Sequence, residues 1–368
     1  MNKNRRLYCK LFFWNSICRI RILYLSQFIN DKIFRLNGSL IIMFFLFTCS
    51  SKQIEGQKIN GVNLVSPAQP ITIQDIEPAK QIGANWISVI PYAFTNPSQG
   101  QVSFGDDAGY WWGEKPNGTK TLISYAKKLG FKIMIKPHLW VRGQGWAGDL
   151  TFTTDVEWER WEKEYTDYVL TYASIAQQFD CEMLCIGTEL RQSVKLRPFY
   201  WKKLIQEIKQ IYHGKLTYAA NWDNFENVTF WKEIDYIGID AYFPLSSEKN
   251  PSIETIILSW ESISEKLSDY SNKIKKSILF TEYGYRSVDF STKRPWETDR
   301  SDMSKANEIS QTNAYKALYQ SVWSKDWMIG GFLWKWYPTP MLDRRPKPLG
   351  FTPQGKDVEG VIKLQYSD

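Results

Sequence analysis

Histidine is almost missing from this 368-residue chain, which holds only His138 and His213. No close cluster of cysteine and histidine exists, so no zinc site is expected. Cysteine is equally scarce: of five, Cys9, Cys18 and Cys49 fall near the start. Cys181 immediately precedes a predicted strand that carries Cys185, so the two lie about 13 Å apart at strand rise and too far to bridge. They read as small buried apolar residues in a fold that does not rely on disulfides. Neither GxGxxG nor GxxxxGK[ST] occurs, which leaves nucleotide chemistry without its usual support. Short-period repeats and low-complexity linkers are absent too.

An excess of positive charge is also missing from most of the chain, although the net charge is +7. Residues 1–48 hold eight of the 46 lysines and arginines and one of the 39 acids, so 38 bases face 38 acids in the remainder. A neutral body offers no electrostatic case for nucleic acid. The basic leader ends in SLIIMFFLFTC, an apolar run of signal-peptide length that is too short to span a bilayer. It predicts an export signal over 1–48, with 49–57 as a short tether. LFTC resembles a bacterial lipoprotein signal, which would make Cys49 the lipidated first residue of an envelope protein. A simple cleaved signal, giving a periplasmic or extracellular protein, is the alternative.

What is plentiful is apolar and aromatic residues, 43% and 15% of the chain, enough to bury a full core. From residue 58, short β-rich runs alternate with longer segments of helical period. Eight strands are predicted: INGVNLV (59–65), WISVIPY (86–92), KIMIKPH (132–138), EMLCIGT (182–188), KLTYAAN (215–221), YIGIDAY (236–242), SILFTEY (277–283) and GGFLWKW (330–336). Several are apolar at consecutive positions, as strands covered on both faces should be. Between them, Trp161, Tyr165, Tyr168, Tyr172, Ile175 and Phe179 recur at steps of three and four. So do Trp201, Leu204, Ile208 and Ile211, and likewise Ile256, Ile257, Trp260, Ile263 and Leu267. Seven helical connections and a closing helix around VEGVIKLQY make the fold class α/β, a single (β/α)8 barrel over 58–368. A doubly wound open sheet would need a switch point, and no Gly-rich turn marks one.

In such a barrel the C-terminal strand ends form the active face. Lys136 and His138 end the third predicted strand, with Trp140 and Trp146 beyond, and Glu189 ends the fourth. Asn221 and Trp222 follow the fifth, Asp240 and Tyr242 close the sixth, Glu282 closes the seventh, and Trp334, Lys335 and Trp336 sit on the eighth. An ionised carboxylate ending a buried strand is costly unless paired, so its position suggests chemistry. Glu189 and Glu282, three strands apart around the ring, supply two carboxylates for glycoside hydrolysis. One must be protonated to aid the departing oxygen, and the other ionised to attack carbon or activate water. Alone, each could equally be a strand-end cap or a salt-bridge partner. Tyr110, Trp111, Trp112, Trp140, Trp146, Trp222, Trp334 and Trp336 bring indole and phenol faces on which pyranose C–H faces pack. Of these, Trp334, Trp222 and Trp112 are the favoured contacts. His138 reads equally as a sugar ligand or a structural hydrogen-bonding residue.

IGTEL, TEYGYRS followed by RPW, GGFLWKWYP and FTPQGK resemble, in that order, glycoside hydrolase family 113, a clan A family known for β-mannanase activity. The resemblance spans about residues 58–362. It implies a retaining double displacement with Glu189 as general acid/base and Glu282 as nucleophile. Thr188 stands where many clan A relatives carry asparagine. Tyr242 would hydrogen-bond the nucleophile and keep it ionised. His138, Trp112, Trp140, Asn221, Trp222, Asp240, Tyr285, Trp334 and Trp336 complete the expected substrate contacts. No cofactor or metal is implied. The partner is a β-linked polysaccharide or oligosaccharide, most simply β-1,4-mannan, and membrane contact comes only through the anchor. A β-glycosidase of other specificity and a non-catalytic surface glycan-binding protein are the rival readings.

Overall fold

The computed structural model describes residues 57–107, 109–143, 145–298, 305–344 and 348–367; the leader and Cys49 lie outside them. Its strands are β1 (Ile59–Leu64), β2 (Trp86–Val89), β3 (Tyr92–Asn96), β4 (Gln101–Ser103), β5 (Lys132–Ile135), β6 (His138–Val141), β7 (Met183–Thr188), β8 (Lys215–Asn221), β9 (Ile237–Asp240), β10 (Ile278–Tyr283) and β11 (Met328–Trp336). Eight of them close into a barrel in the order β1-β11-β10-β9-β8-β7-β5-β2, and every neighbouring pair is parallel. The chain therefore folds as the (β/α)8 barrel expected.

Two layers of apolar side chains hold it. Ile59, Trp86, Met134, Met183, Cys185, Ala219, Leu279 and Phe332 come from different barrel strands yet share one cluster, so they fill the lumen. Gly61 makes room for this plug, because a Cβ there would lie 2.3 Å from the Phe332 ring. Outside, helix Asp155–Gln178 begins at a capping box, Thr154 accepting from the Glu157 amide at 3.3 Å and Glu157 accepting back from Thr154 N at 3.0 Å. Its stripe of Trp161, Tyr165, Tyr168, Tyr172 and Ile175 is buried on the barrel, and Phe179 ends the helix half-buried. Helices Pro198–Ile211 and Ile253–Ile274 bury Trp201, Leu204 and Ile208, and Ile256, Trp260 and Leu267, in the same way. Each such side chain contributes roughly 1.5–3 kcal/mol on leaving water. Cys181 and Cys185 are buried free thiols.

The structure corrects the connections in two places. The β8–β9 link carries only 3-10 turns at Phe225–Asn227 and Trp231–Glu233 among the described residues, since residues 222–236 leave too little chain for a helix and two loops. The β1–β2 link holds only a 3-10 turn, Ile73–Asp75, and a four-residue helix, Pro78–Gln81. The predicted strands 86–92 and 132–138 are also too long. Pro91 and Pro137 lack the N–H that a barrel ladder needs, and each ends its barrel strand. Beyond them the chain starts β3 and β6, which pair in register Tyr92↔His138 and, with β4, build a second small sheet. No helix among the described residues is long and apolar enough to cross a membrane.

Candidate active site

Strand register brings the polar groups to one level. Asn221 on β8 pairs with Asp240 on β9, and Asp240 pairs with Glu282 on β10. The β9–β10 register shifts between Phe280 and Glu282, a bulge that re-aims the carboxylate at the strand's end. Glu189 follows β7, its amide donating to Ala219 O of β8 at 2.8 Å, with its backbone in the left-handed region at φ 54°. For a residue with a Cβ that conformation costs about 1–2 kcal/mol, and such strain gathers at functional sites.

Glu282 is 5% exposed and accepts on both oxygens. Tyr242 Oη donates to Oε2 at 2.7 Å, while Lys136 Nζ donates to Oε1. His138 Nε2 lies 3.6 Å from Oε1, too long for a hydrogen bond, and has no other partner among the described residues. Lys136 is fully buried and also donates to both oxygens of Asp240, at 3.2 and 3.4 Å. Thr281 Oγ1 completes the Asp240 shell at 2.7 Å. Burial alone would lower Lys136, but the Asp240 and Glu282 carboxylates outweigh it and hold the ammonium above its ordinary range. Burial and the Glu282 charge push the Asp240 carboxyl up, against the pull of Lys136 and Thr281.

Glu189 stands in a different environment. Its partner is the Trp146 indole, which donates to Oε2 at 2.6 Å. The Arg191 guanidinium sits 4.6 Å from the centre of that indole and pairs with Asp149, fixing the ring. Burial first, then the charges of Asp240 and Glu282, push the Glu189 carboxyl up to about 8. Two carboxylates, Asp240 and Glu282, thus share one ammonium, and Glu189, which the ammonium does not touch, keeps its proton at neutral pH. Two carboxyl groups whose surroundings separate their protonation are what acid-assisted displacement needs. Among the described residues no group of His, Cys, Asp or Glu is arranged to hold a metal ion.

A cleft of about 1250 Å³ opens at this end of the barrel. Tyr92, Phe94, Tyr110, Trp111, Trp140 and Trp334 form its aromatic walls, with Arg142 and Lys335 also lining it. It meets the Glu282 carboxylate through His138, whose ring stacks on Trp334 at 5.9 Å and leans on Tyr92 at 5.2 Å. Burial, then Lys136 and Lys335, hold His138 well below the ordinary imidazole range, so its ring is neutral.

Several expected substrate contacts are not where a sugar could touch them. Tyr285 is fully buried against Tyr315, behind the barrel wall. Trp336 is 1% exposed and belongs to the core, because the β1–β11 register slips between Val62 and Leu64. Trp112 packs its ring on the core, and its neighbour Trp111 lines the cleft instead. Asp240 is 0% exposed and serves as a counter-ion to Lys136. Trp140 and Trp334 line the cleft, while Asn221 and Trp222 stand half-buried at the end of β8. Lys136 and Trp146 were expected at the active face, one as a strand-end residue and the other as a sugar-facing indole, but not as the hydrogen-bond donors to Glu282 and Glu189 that they are. The signal for Lys136 was present, a charge inside the apolar run KIMIKPH.

A family model described as Glycoside Hydrolase Family 113 matches residues 68–348. Among solved structures, the GH113 beta-mannanase AaManA from Alicyclobacillus acidocaldarius, in complex with ManMIm, is 23% identical with a TM-score of 0.71, covering 84% of this chain and 97% of that one. A GH113 beta-1,4-mannanase is 25% identical with a TM-score of 0.72, covering 85% of this chain and 99% of its own. A beta-glucuronidase of Faecalibacterium prausnitzii is 12% identical with a TM-score of 0.56 over 84% of this chain and 49% of its own, a likeness of fold alone. No curated protein sequence matches.

Proposed function

The chain belongs to glycoside hydrolase family 113, and from that premise we propose that it is a retaining β-mannanase acting on β-1,4-mannan or its oligosaccharides. The β-mannanases among the solved structures it resembles support that substrate. Glu282 attacks the anomeric carbon while Glu189 gives its proton to the departing oxygen. The glycosyl-enzyme ester forms as the old acetal bond breaks, and Glu189, now ionised, deprotonates the water that releases the sugar. Retention requires the two carboxyl groups to stand about 5 to 5.5 Å apart. Lys136 and Tyr242 keep the lone pairs of Glu282 in a fixed orientation and stabilise its charge between turnovers. His138, Trp140, Asn221, Trp222 and Trp334 are the sugar contacts in this reading.

One arrangement carries it: Glu282 accepts from an ammonium and a phenol, while Glu189, whose carboxyl is pushed up to about 8 by burial and the neighbouring charges, accepts from the Trp146 indole. Reducing ends released from β-1,4-mannan test it. Wild type is expected to release them, whereas Glu189→Ala and Glu282→Ala lose activity by orders of magnitude while still folding. Full activity in either variant would reject the assignment. We further assign the enzyme to the cell envelope, exported through its leader and lipidated at Cys49. Loss of radiolabelled palmitate in Cys49→Ala checks that step, and a label that persists refutes it.

A further inference from the structure

The Glu189 carboxyl depends on a single side chain. Among the described residues its one hydrogen-bond partner is the Trp146 indole, which donates to Oε2 at 2.6 Å, and no donor reaches Oε1. An indole N–H donates and cannot accept, so Oε2 is held as an acceptor. The carboxyl proton is thereby left to Oε1.

Two contacts fix that indole. Trp146 caps the 3-10 turn Ala147–Asp149, and its ring lies against Gly148 of that turn. A Cβ on Gly148 would stand 2.5 Å from ring carbons Cζ2 and Cη2, well inside the roughly 3.5–4.0 Å of carbon–carbon contact. Only glycine therefore lets the ring settle there. The second contact is the Arg191 guanidinium, 4.6 Å from the ring centre, whose ion pair with Asp149 returns to the same turn. Its planar, delocalised charge suits an aromatic face better than an ammonium does. Arg191 also donates its amide to Glu189 O at 2.9 Å, so the clamp and the carboxyl share one short stretch of backbone.

We propose that Arg191 and Gly148 are positioning residues for proton transfer: by seating the Trp146 N–H on Oε2, they present the Oε1 proton to the departing glycosidic oxygen. This rests on the assignment of Glu189 and Glu282 above. The proton moves from Oε1 to the glycosidic oxygen as the C–O bond breaks. The bonding electron pair goes to that oxygen, and Glu282 takes its place on the anomeric carbon. The Trp146 bond to Oε2 then becomes charge-assisted and steadies the carboxylate left behind. In the second step Oε1 takes its proton back from the attacking water. The clamp thus matters in proportion to how far the leaving group needs a proton, whereas a merely structural role would slow every substrate alike.

Values of kcat/KM for two substrates separate these roles. Mannotetraose departs as a sugar alkoxide that must be protonated, while dinitrophenyl β-mannobioside departs as a stable phenolate that needs no proton. Arg191→Ala and Gly148→Ala should each lower kcat/KM for mannotetraose by about ten- to a hundredfold, the scale of a misplaced catalytic group, and change the dinitrophenyl reaction little. Arg191→Lys keeps a cation between Asp149 and the indole and should recover part of the loss. Equal losses on both substrates, or no loss on mannotetraose, would overturn the clamp. Glu189→Ala, measured alongside, should discriminate between the substrates more strongly still. If it slows both alike, Glu189 is not the acid, and the functional reading above falls together with the clamp. If Glu189→Ala discriminates and Arg191→Ala does not, the clamp alone falls.

Discussion

Lys136, just past β5, and Glu282 on β10 form a buried ion pair across the barrel mouth, and the same ammonium donates to Asp240 at 3.2 Å. Neither end of this arrangement is solvated, since Lys136 is 0% and Glu282 5% exposed. Removing the ammonium leaves two carboxylates facing each other without a cation. Lys136→Met should therefore lose about 3–5 kcal/mol of stability in equilibrium urea denaturation, together with most activity. Adding Asp240→Asn should return part of the stability, because it removes one of the two stranded charges, so the double variant will not be additive. A Lys136→Met protein as stable as wild type would show that the pair does not hold the site together.

Acid–base behaviour follows from the raised Glu189. Its carboxyl moves from 4.5 up to about 8, so the protonated form needed for leaving-group assistance persists through neutral pH and is lost above about 8. The alkaline limb of kcat/KM should fall there. Two substitutions should move it in opposite directions. Asp240→Asn removes a negative neighbour that favours the proton, which lowers Glu189 and shifts the limb to lower pH. Trp146→Phe removes the indole donor that favours the ionised form, which raises Glu189 and shifts the limb to higher pH. Limbs that move together, or not at all, would mean that another group sets the alkaline side.

Glu189 and Glu282 were legible because a carboxylate ending an apolar strand is costly, and two such strands at the right interval share one end of a barrel. Lys136 carries the same signal, yet a single lysine at a strand end also fits a solvated rim, and only the strand register brings it against two carboxylates. Tyr285 and Trp336 were misread for a different reason. Which side of the wall a strand-end residue faces depends on bulges and register shifts, such as the slip between Val62 and Leu64, that no residue pattern encodes. Pro91 and Pro137 were visible as breakers, but the second sheet they start needs β3 and β6 to find each other across more than forty residues.

That difference in placement gives a paired test of the aromatic contacts. Trp334 lines the cleft, whereas Tyr285 is sealed behind the wall. Trp334→Ala should raise KM for mannan oligosaccharides at least about tenfold, from the lost stacking. Tyr285→Phe keeps the ring and the packing, so its KM should match wild type. A raised KM in Tyr285→Phe would place that hydroxyl back in the substrate's path.

Azide separates the roles of the two glutamates, because it is a small anion that attacks carbon without needing a base. If Glu282 is the nucleophile proposed above, Glu282→Ala leaves a gap beneath the anomeric carbon. Azide entering there displaces an activated leaving group once, giving an α-glycosyl azide. In Glu189→Ala an aryl mannoside whose phenol departs without a proton still forms the ester on Glu282, and water then reacts slowly for want of a base. Azide takes the place of that water, and two displacements give a β-glycosyl azide. Loss of the acid/base is worth about 10²–10⁴ in rate, so rescue should be large against the background. Proton NMR of the anomeric signal distinguishes the products. A β-azide from the Glu282 variant would exchange the two roles, and no rescue in either variant would argue for an inverting pair acting through water alone.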